Sequence, residues 1–277
     1  MSDISLTSGM RQSLYSMQQT NQLMDRTASR LSSGYKVQTA LDDPINYFAA
    51  QGHRQRASDL AGRKDEMGEA IQLIKAGNNG VEAVTDLVAS AKSLAQSALS
   101  AEDADEFTAL EEQYTEILSQ IDELAGDSGY KGINLMGGTD EELEVAFDED
   151  GDSVVTLNGF DGESTGLSLV VVGTGDWHTA GVADKTNIDS AITKLDDART
   201  TLRTEAKTMA NNLSTITIRQ DFTSNMINTL NDGADLLTLA DMNEEGANML
   251  MLQTRQGLGT SSLSMASQAA QSVLRLF

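Results

Sequence analysis

The acidic run Asp148-Glu149-Asp150-Gly151-Asp152 is where side chains able to hold a divalent cation crowd most closely. A calcium loop of the helix–loop–helix type needs glycine at its sixth position and a bidentate glutamate at its twelfth. Here Gly151 comes fourth and Gly159 stands where the glutamate belongs, so the run reads as an acidic hairpin turn. The two histidines, His53 and His178, lie far apart in a chain without cysteine, short of the three or four ligands that zinc takes. His53 reads as part of a solvated helix face beside Arg54 and Arg56, and His178 follows Trp177 in a loop. No glycine loop leads into Lys-Ser or Lys-Thr, Gly173-Thr174-Gly175-Asp176 opens no long helix directly after it, and no G-x-S-x-G elbow occurs. The expectation is a protein with no catalytic residues, no metal and no cofactor.

What the spacing does offer is packing. Met10, Leu14, Met17, Asn21, Met24, Ala28 and Leu31 recur at steps of four and three. Met249, Leu252, Gln256, Gly259, Leu263, Ala266, Ala270, Val273 and Phe277 recur at steps of three and four. Each set places one narrow seam on a helix, the pattern of a coiled coil. A methionine-rich face could also line an adaptable groove, but the sustained heptad spacing favours helix against helix. Termini are usually polar and frayed; these are built to be buried, and a partner must bury them.

Composition narrows the class. With 277 residues, a single proline and 4% aromatic residues, the chain suits long helices better than an aromatic-rich globular core. A formal net charge of −23 repels phosphates and anionic lipid, which argues against nucleic-acid or membrane partners. The lack of cysteine fits work outside the cell without oxidative folding. No apolar run reaches the roughly 20 residues of a membrane span. Met1-Ser2-Asp3-Ile4-Ser5-Leu6 has no basic region, apolar segment or cleavage site, so no cleaved secretory signal is expected.

In chain order, Gly34 reads as the stop of the first helix, and Asp43-Pro44 as the cap and first residue of the second. From Ile45 to Ala98 the pattern is helical almost without interruption, with Leu60, Met67, Ile71, Ile74, Val81, Val88 and Ala95 on one face and Asn78 in the same seam; a helix of that length spans about 80 Å. Ser100-Ala101-Glu102-Asp103 resembles a capping box ahead of a face of Phe107, Leu110, Tyr114, Ile117, Ile121 and Leu124. From Gly132 to Asp184 there is no Lys or Arg. Within that segment Leu143–Phe147, Val154–Leu157 and Leu167–Val172 read as strands joined by tight turns in a solvent-facing insert. Helix resumes with Thr186 as N-cap, and Asn231-Asp232-Gly233 is expected to bend the chain before a last helix from about Leu236. The fold class expected is mainly α: a long antiparallel helical coiled-coil hairpin, paired terminal helices and a small β-rich insert at the midpoint.

Several stretches resemble bacterial flagellin. Arg30-Leu31-Ser32-Ser33-Gly34-Tyr35-Lys36-Val37 is similar to the R-L-S-S-G signature, and Asp42-Asp43-Pro44 with Ala49-Ala50-Gln51 to the segment that follows it. Gly129-Tyr130-Lys131-Gly132-Ile133-Asn134-Leu135 resembles the F-N-G-x-x-L turn. The ending Gln268–Leu276 resembles A-N-Q-x-P-Q-x-V-L-x-L without its proline. The resemblance implies a filament subunit exported by the flagellar type III apparatus into an extracellular flagellum. Its partners would be further copies of itself, the hook-junction and cap proteins, and an export chaperone. It implies a terminal core domain over 1–43 and 233–277, a helical rod over 44–140 and 183–232, and an acidic outer insert over 141–182. The polymerisation seam would be Met10, Leu14, Met17, Met24, Leu31, Met249, Leu252, Leu263, Val273 and Phe277, with both termini disordered until neighbours supply the rest of the core. Ser90, Lys92, Ser93 and Leu94 fall where flagellins sensed by their Toll-like receptor carry an Arg- and Glu-containing segment. With Ser90 and Ser93 in place of those residues, weak or absent activation is expected. The alternatives are a hook–filament junction protein, or a non-flagellar extracellular coiled-coil scaffold.

Overall fold

The computed structural model describes the backbone of residues 8–274 and, toward the C-terminal end, side chains through Ser272 apart from that of Ala270. The chain divides into two compact units, Met1–Gln55 with Thr229–Phe277, and Arg56–Asn228. The main elements are α1 (Ser8–Ser33), α2 (Pro44–Ala98), α3 (Ala104–Asp127), β1 (Glu142–Ala146), β2 (Val154–Asn158), β3 (His178–Thr179), β4 (Val182–Ala183), α4 (Lys185–Thr238) and α5 (Met242–Leu274).

The unit Arg56–Asn228 is built on the α2 and α4 segments it contains, with α3 beside them. Lys92 Nζ meets Asp196 at 2.6 Å and Gln220 Nε2 donates to the Lys64 carbonyl at 3.3 Å, so the two helices run antiparallel. Of the expected α2 seam, Leu60, Met67, Ile71, Ile74, Val81, Val88 and Ala95 are buried, and Asn78 is half-buried. Gly80 lies where any Cβ would overlap Ser128 and Met136, so glycine here permits close packing in a helix it otherwise weakens by about 1 kcal/mol.

Around α3 the structure departs from the sequence reading. Asp103 holds the N-cap position without a side-chain cap bond, so no capping box forms. The buried face is Phe107, Glu111, Tyr114, Leu118, Ile121 and Ala125, with Leu110, Ile117 and Leu124 at its margins. At the other end Asn134 Nδ2 donates to the Ala125 and Gly126 carbonyls at 2.8 and 3.1 Å. It thereby satisfies acceptors that a helix C-terminus leaves free.

β1 and β2 form an antiparallel hairpin in which Val145 faces Val155 and Leu143 faces Leu157. The acidic run is its turn: the Ser153 amide donates to Asp148 at 3.2 Å, Glu149 pairs with Arg56, and Arg219 lies over the Phe147 ring at 5.1 Å. Leu167–Val172 is not a strand. Leu167, Leu169 and Val172 do point inward, but the segment packs on α3 instead of pairing: Ser164 donates to Asp122 through both amide and hydroxyl, and Thr115 donates to the Val172 carbonyl. Its apolar content marks the inward side chains; a partner strand is what it lacks. The insert expected to face solvent in fact sends Val145, Phe147, Leu157, Phe160, Leu167 and Trp177 into the same core as α2, α3 and α4. Its acidic side chains take the outer positions.

α4 begins at Lys185 with Asp184, not Thr186, as its cap: Asp184 Oδ1 accepts from the Thr186 and Asn187 amides. α4 also runs through Asn231-Asp232-Gly233 without a break. The chain turns instead at 239–241, where Asp241 Oδ1 accepts from the Asn243 amide at 2.8 Å and starts α5.

Candidate functional site

The unit formed by the two ends of the chain carries the residues that the sequence marks for assembly. α1 ends as expected: Gly34 takes φ +77°, a left-handed conformation suited to glycine, and its amide donates to the Arg30 carbonyl at 2.8 Å. The chain then runs beside the end of α4, with the Lys36 amide donating to Thr238 and the Ala240 amide to Gly34. Asp42 accepts from the Gln38 and Thr39 amides and the Thr39 hydroxyl. Those bonds, the Thr39 amide foremost, hold its carboxyl below the ordinary carboxylate range. Asp43 caps α2 through the Asn46 amide, and Pro44 occupies the first helical position, where a missing N–H is harmless.

α1 and α5 pair antiparallel. Three contacts set the register: Arg30 with Glu245 at 2.8 Å, Asn21 accepting from Gln256 Nε2 at 2.9 Å, and Met17 against Gly259, where an added Cβ would meet Met17 Cγ at 3.1 Å. On α5 the inward positions are Glu245, Met249, Leu252, Gln256, Gly259, Leu263 and Ala266, which from Met249 onward is the seam read from the sequence. On α1 they are Met10, Ser13, Met17, Thr20, Met24, Thr27 and Leu31. Four of the seven expected positions, Met10, Met17, Met24 and Leu31, are therefore in place; Leu14, Asn21 and Ala28 are exposed, Asn21 at the edge where it meets Gln256, and Ser13, Thr20 and Thr27 turn inward. The Thr20 hydroxyl is satisfied by the Ser16 carbonyl at 2.9 Å, which lets a polar residue occupy a closely packed seam. Ala270 and Val273 have no described side chain, and Phe277 lies outside the described residues.

A second set of apolar side chains in this unit faces outward. Tyr15 is 75% exposed and Leu258 68%. Met251, Leu258 and Met265 recur every seven residues along one stripe of α5, with Leu250 beside it. Leu14 and Leu23 on α1, Leu41, Ile45 and Phe48 around the start of α2, and Leu236, Leu239 and Met242 near the α4–α5 turn are exposed as well. Scattered exposed apolar residues are ordinary; Met251, Leu258 and Met265 are set apart by their regular spacing.

The remaining candidates lie in the unit Arg56–Asn228. Ser90 and Ser93 are exposed on α2, and Lys92 and Leu94 are half-buried. Ser90, Ser93 and Leu94 line a shallow groove of about 690 Å³ with Glu112, Glu116 and Ile117 of α3. His178 stacks on Phe107 at 5.3 Å, with its Nδ1 accepting from the Gly181 amide. His53 is half-buried, its ring near Gly233. Among the described residues no group of three or more His, Cys, Asp or Glu is placed to hold a metal ion, and no helix is long and apolar enough to cross a membrane.

One feature escaped the sequence reading. The buried Glu111 carboxylate accepts from the Gly175 and Trp177 amides at 2.8 and 2.7 Å, pinning the loop that seats Trp177 against Tyr114. The Tyr114 hydroxyl is buried with no partner among the described residues, and burial pushes its pKa up to about 12. The spacing of Glu111 from Phe107 and Tyr114 was the available signal. It places this carboxylate on the apolar face of α3.

Comparison with known proteins finds family matches on either side of the insert. Residues 5–141 match the family model described as the bacterial flagellin N-terminal helical region, and residues 186–277 the bacterial flagellin C-terminal helical region. The chain is 25% identical over 281 residues to Flagellin FljM of Caulobacter vibrioides, covering 100% of this chain and 99% of that one. It is 25% identical over 283 residues to a flagellin of Brucella melitensis biotype 1, with the same coverage. It is 24% identical over 308 residues to Flagellin C of Rhizobium meliloti, covering 95% of each.

Proposed function

The chain belongs to the bacterial flagellin family and is a subunit of the flagellar filament, and from that premise we propose that its polymerisation surface is the outer face of the α1–α5 pair. The observation that carries this reading is the heptad stripe Met251, Leu258 and Met265, exposed on a helix whose opposite seam is already occupied by α1. Two stripes on one helix need two partners. The first is α1 of the same chain; the second is a neighbouring subunit. Head-to-tail contacts that do not close on themselves generate a helical polymer.

In this account Met10, Met17, Met24 and Leu31 with Met249, Leu252 and Leu263 zip the terminal pair, and Leu14 belongs to the surface offered to a neighbour. Ordering both terminal helices costs conformational entropy that the few buried apolar side chains of the pair do not offset. The pair is therefore loosely ordered in the free subunit and becomes rigid on assembly. The further partners are the hook-junction and cap proteins, with an export chaperone on the C-terminal helix before secretion through the type III apparatus. The terminal unit acts as the filament core domain.

The α2 face carrying Ser90, Lys92, Ser93 and Leu94 gives weak or no activation of the Toll-like receptor for flagellin, because small hydroxyls replace the charged pair. Robust signalling by purified subunit would contradict this. The main reading is tested by negative-stain microscopy of the purified chain after seeding or addition of a precipitating salt. Long uniform filaments are expected. Monomers or short oligomers under every condition would instead support a junction protein.

A further inference from the structure

Twelve methionines and no cysteine make the thioether the only oxidisable sulfur in this chain, and the structure sorts these residues sharply. In the unit Arg56–Asn228, Met67, Met136 and Met209 are buried and Met226 is half-buried. In the terminal unit Met242, Met251 and Met265 are 48%, 55% and 65% exposed, all on α5, two of them in the stripe assigned to a neighbouring subunit. Trp177, another readily oxidised side chain, is fully buried.

We propose that Met242, Met251 and Met265 form an oxidation site for small hydroperoxides that controls whether the free subunit can assemble. The reaction balances without a cofactor. The thioether sulfur donates an electron pair to one oxygen of the peroxide, the O–O bond breaks, and a sulfur–oxygen bond forms. The other oxygen leaves, with the proton, as water or alcohol. Sulfur is oxidised by two electrons and the peroxide is reduced by two. The product is a sulfoxide, polar where the side chain was apolar, and disruptive in a methionine-rich interface. In the assembled filament a neighbour covers the stripe, so oxidation reads the state of the subunit: free chains are vulnerable and assembled ones are shielded. This rests on the assignment of the α5 stripe as a polymerisation surface.

The test treats the purified full-length chain with limiting hydrogen peroxide, maps one-oxygen mass gains by peptide mass spectrometry, and measures the critical concentration for filament formation. Met242, Met251 and Met265 are expected to oxidise first, with Met67, Met136 and Met209 unmodified. The critical concentration should rise roughly tenfold or more, since each sulfoxide buries a polar group that has no prepared partner. At the peroxide dose that first raises the wild-type critical concentration, the M242L/M251L/M265L chain should keep its assembly, losing it only at higher dose as Met17, Met24 and Met249, half-buried in the α1–α5 seam, are reached. Treated wild-type chain assembling at its unchanged critical concentration, or the triple variant losing assembly at the same dose as the wild type, would overturn the proposal. A second readout needs no variant: in preformed filaments oxidation at Met251 and Met265, the two in the stripe, should slow roughly tenfold, following the loss of exposure, and equal rates in filament and free subunit would overturn it. Failure of untreated chain to form filaments would count against the polymerisation reading itself, so the two failures are distinguishable.

Discussion

The two units solve the burial problem in opposite ways. The unit Arg56–Asn228 seats its largest side chains completely: Trp177, Tyr114, Phe107, Met67, Ile74 and Leu195 are fully buried in one continuous core. In α1 and α5 the buried apolar side chains with described surroundings are Met10 and Leu252, while Tyr15, Leu250, Leu258 and Met265 face outward. Exposed large apolar residues do occur in the middle unit, Ile218 and Phe222 on α4 among them, but nowhere there do they recur as a heptad stripe. The middle of the chain is built to fold by itself. On the proposed reading its ends are completed by other copies.

The comparison breaks most visibly by truncation. A chain lacking residues 1–30 should form no filaments in the seeded microscopy assay, while calorimetry still shows cooperative melting of the middle unit. Normal filaments from the truncated chain would refute the role given to α1.

A milder perturbation is Leu258→Glu, which places a charge in the α5 stripe without touching the α1 seam. Sedimentation should show filament yield falling by roughly a hundredfold, since burying an unpaired charge at an interface costs several kcal/mol. The melting temperature of the middle unit should stay unchanged.

The middle unit is the converse case, sensitive in stability and not in assembly chemistry. Glu111→Ala leaves the Gly175 and Trp177 amides without an acceptor and opens a void beside Trp177. Denaturant unfolding should show a loss of about 2–4 kcal/mol. Tyr114 supplies a pH signature. Its folded-state pKa is raised to about 12, so the folded state keeps a proton that the unfolded chain releases near pH 10. Stability from this group is intact below pH 10 and declines as pH rises from there toward 12, by up to about 3 kcal/mol. Tyr114→Phe should abolish this part of the alkaline loss and raise stability at neutral pH by about 1 kcal/mol, because it removes an unpaired buried hydroxyl. Unfolding titrations between pH 7 and 12 on both chains measure the two effects together.

Legibility in the sequence followed the same contrast. The α2 seam from Leu60 to Ala95 could be read directly, because β-branched and Leu positions at heptad spacing have one apolar side and a clear polar one. α5 was equally legible on the side that meets α1. On α1 the steps of three and of four from Met10 both lead to plausible positions. Apolar content favours Leu14, whereas the structure turns Ser13, Thr20 and Thr27 inward. Apolar character alone cannot tell an internal seam from a surface kept for a neighbour. Leu167–Val172 showed its inward side chains but not its lack of a strand partner, which depends on Asp122 and Thr115 of α3 far away in the chain. Gly233 was read as a bend because glycine weakens helices, yet α4 passes through it and the helix stop lies at Asp241 instead.

The central claim, that the ends of the chain are an incomplete core, is tested most directly by amide hydrogen exchange over residues 8–33 and 242–272 in the free subunit and in the filament. The account predicts weak protection of both segments in the free subunit and strong protection in the filament, with the buried parts of 56–228 strongly protected in both states. Equal and strong protection of the terminal segments in the free subunit would show that α1 and α5 complete their core alone, and would contradict it.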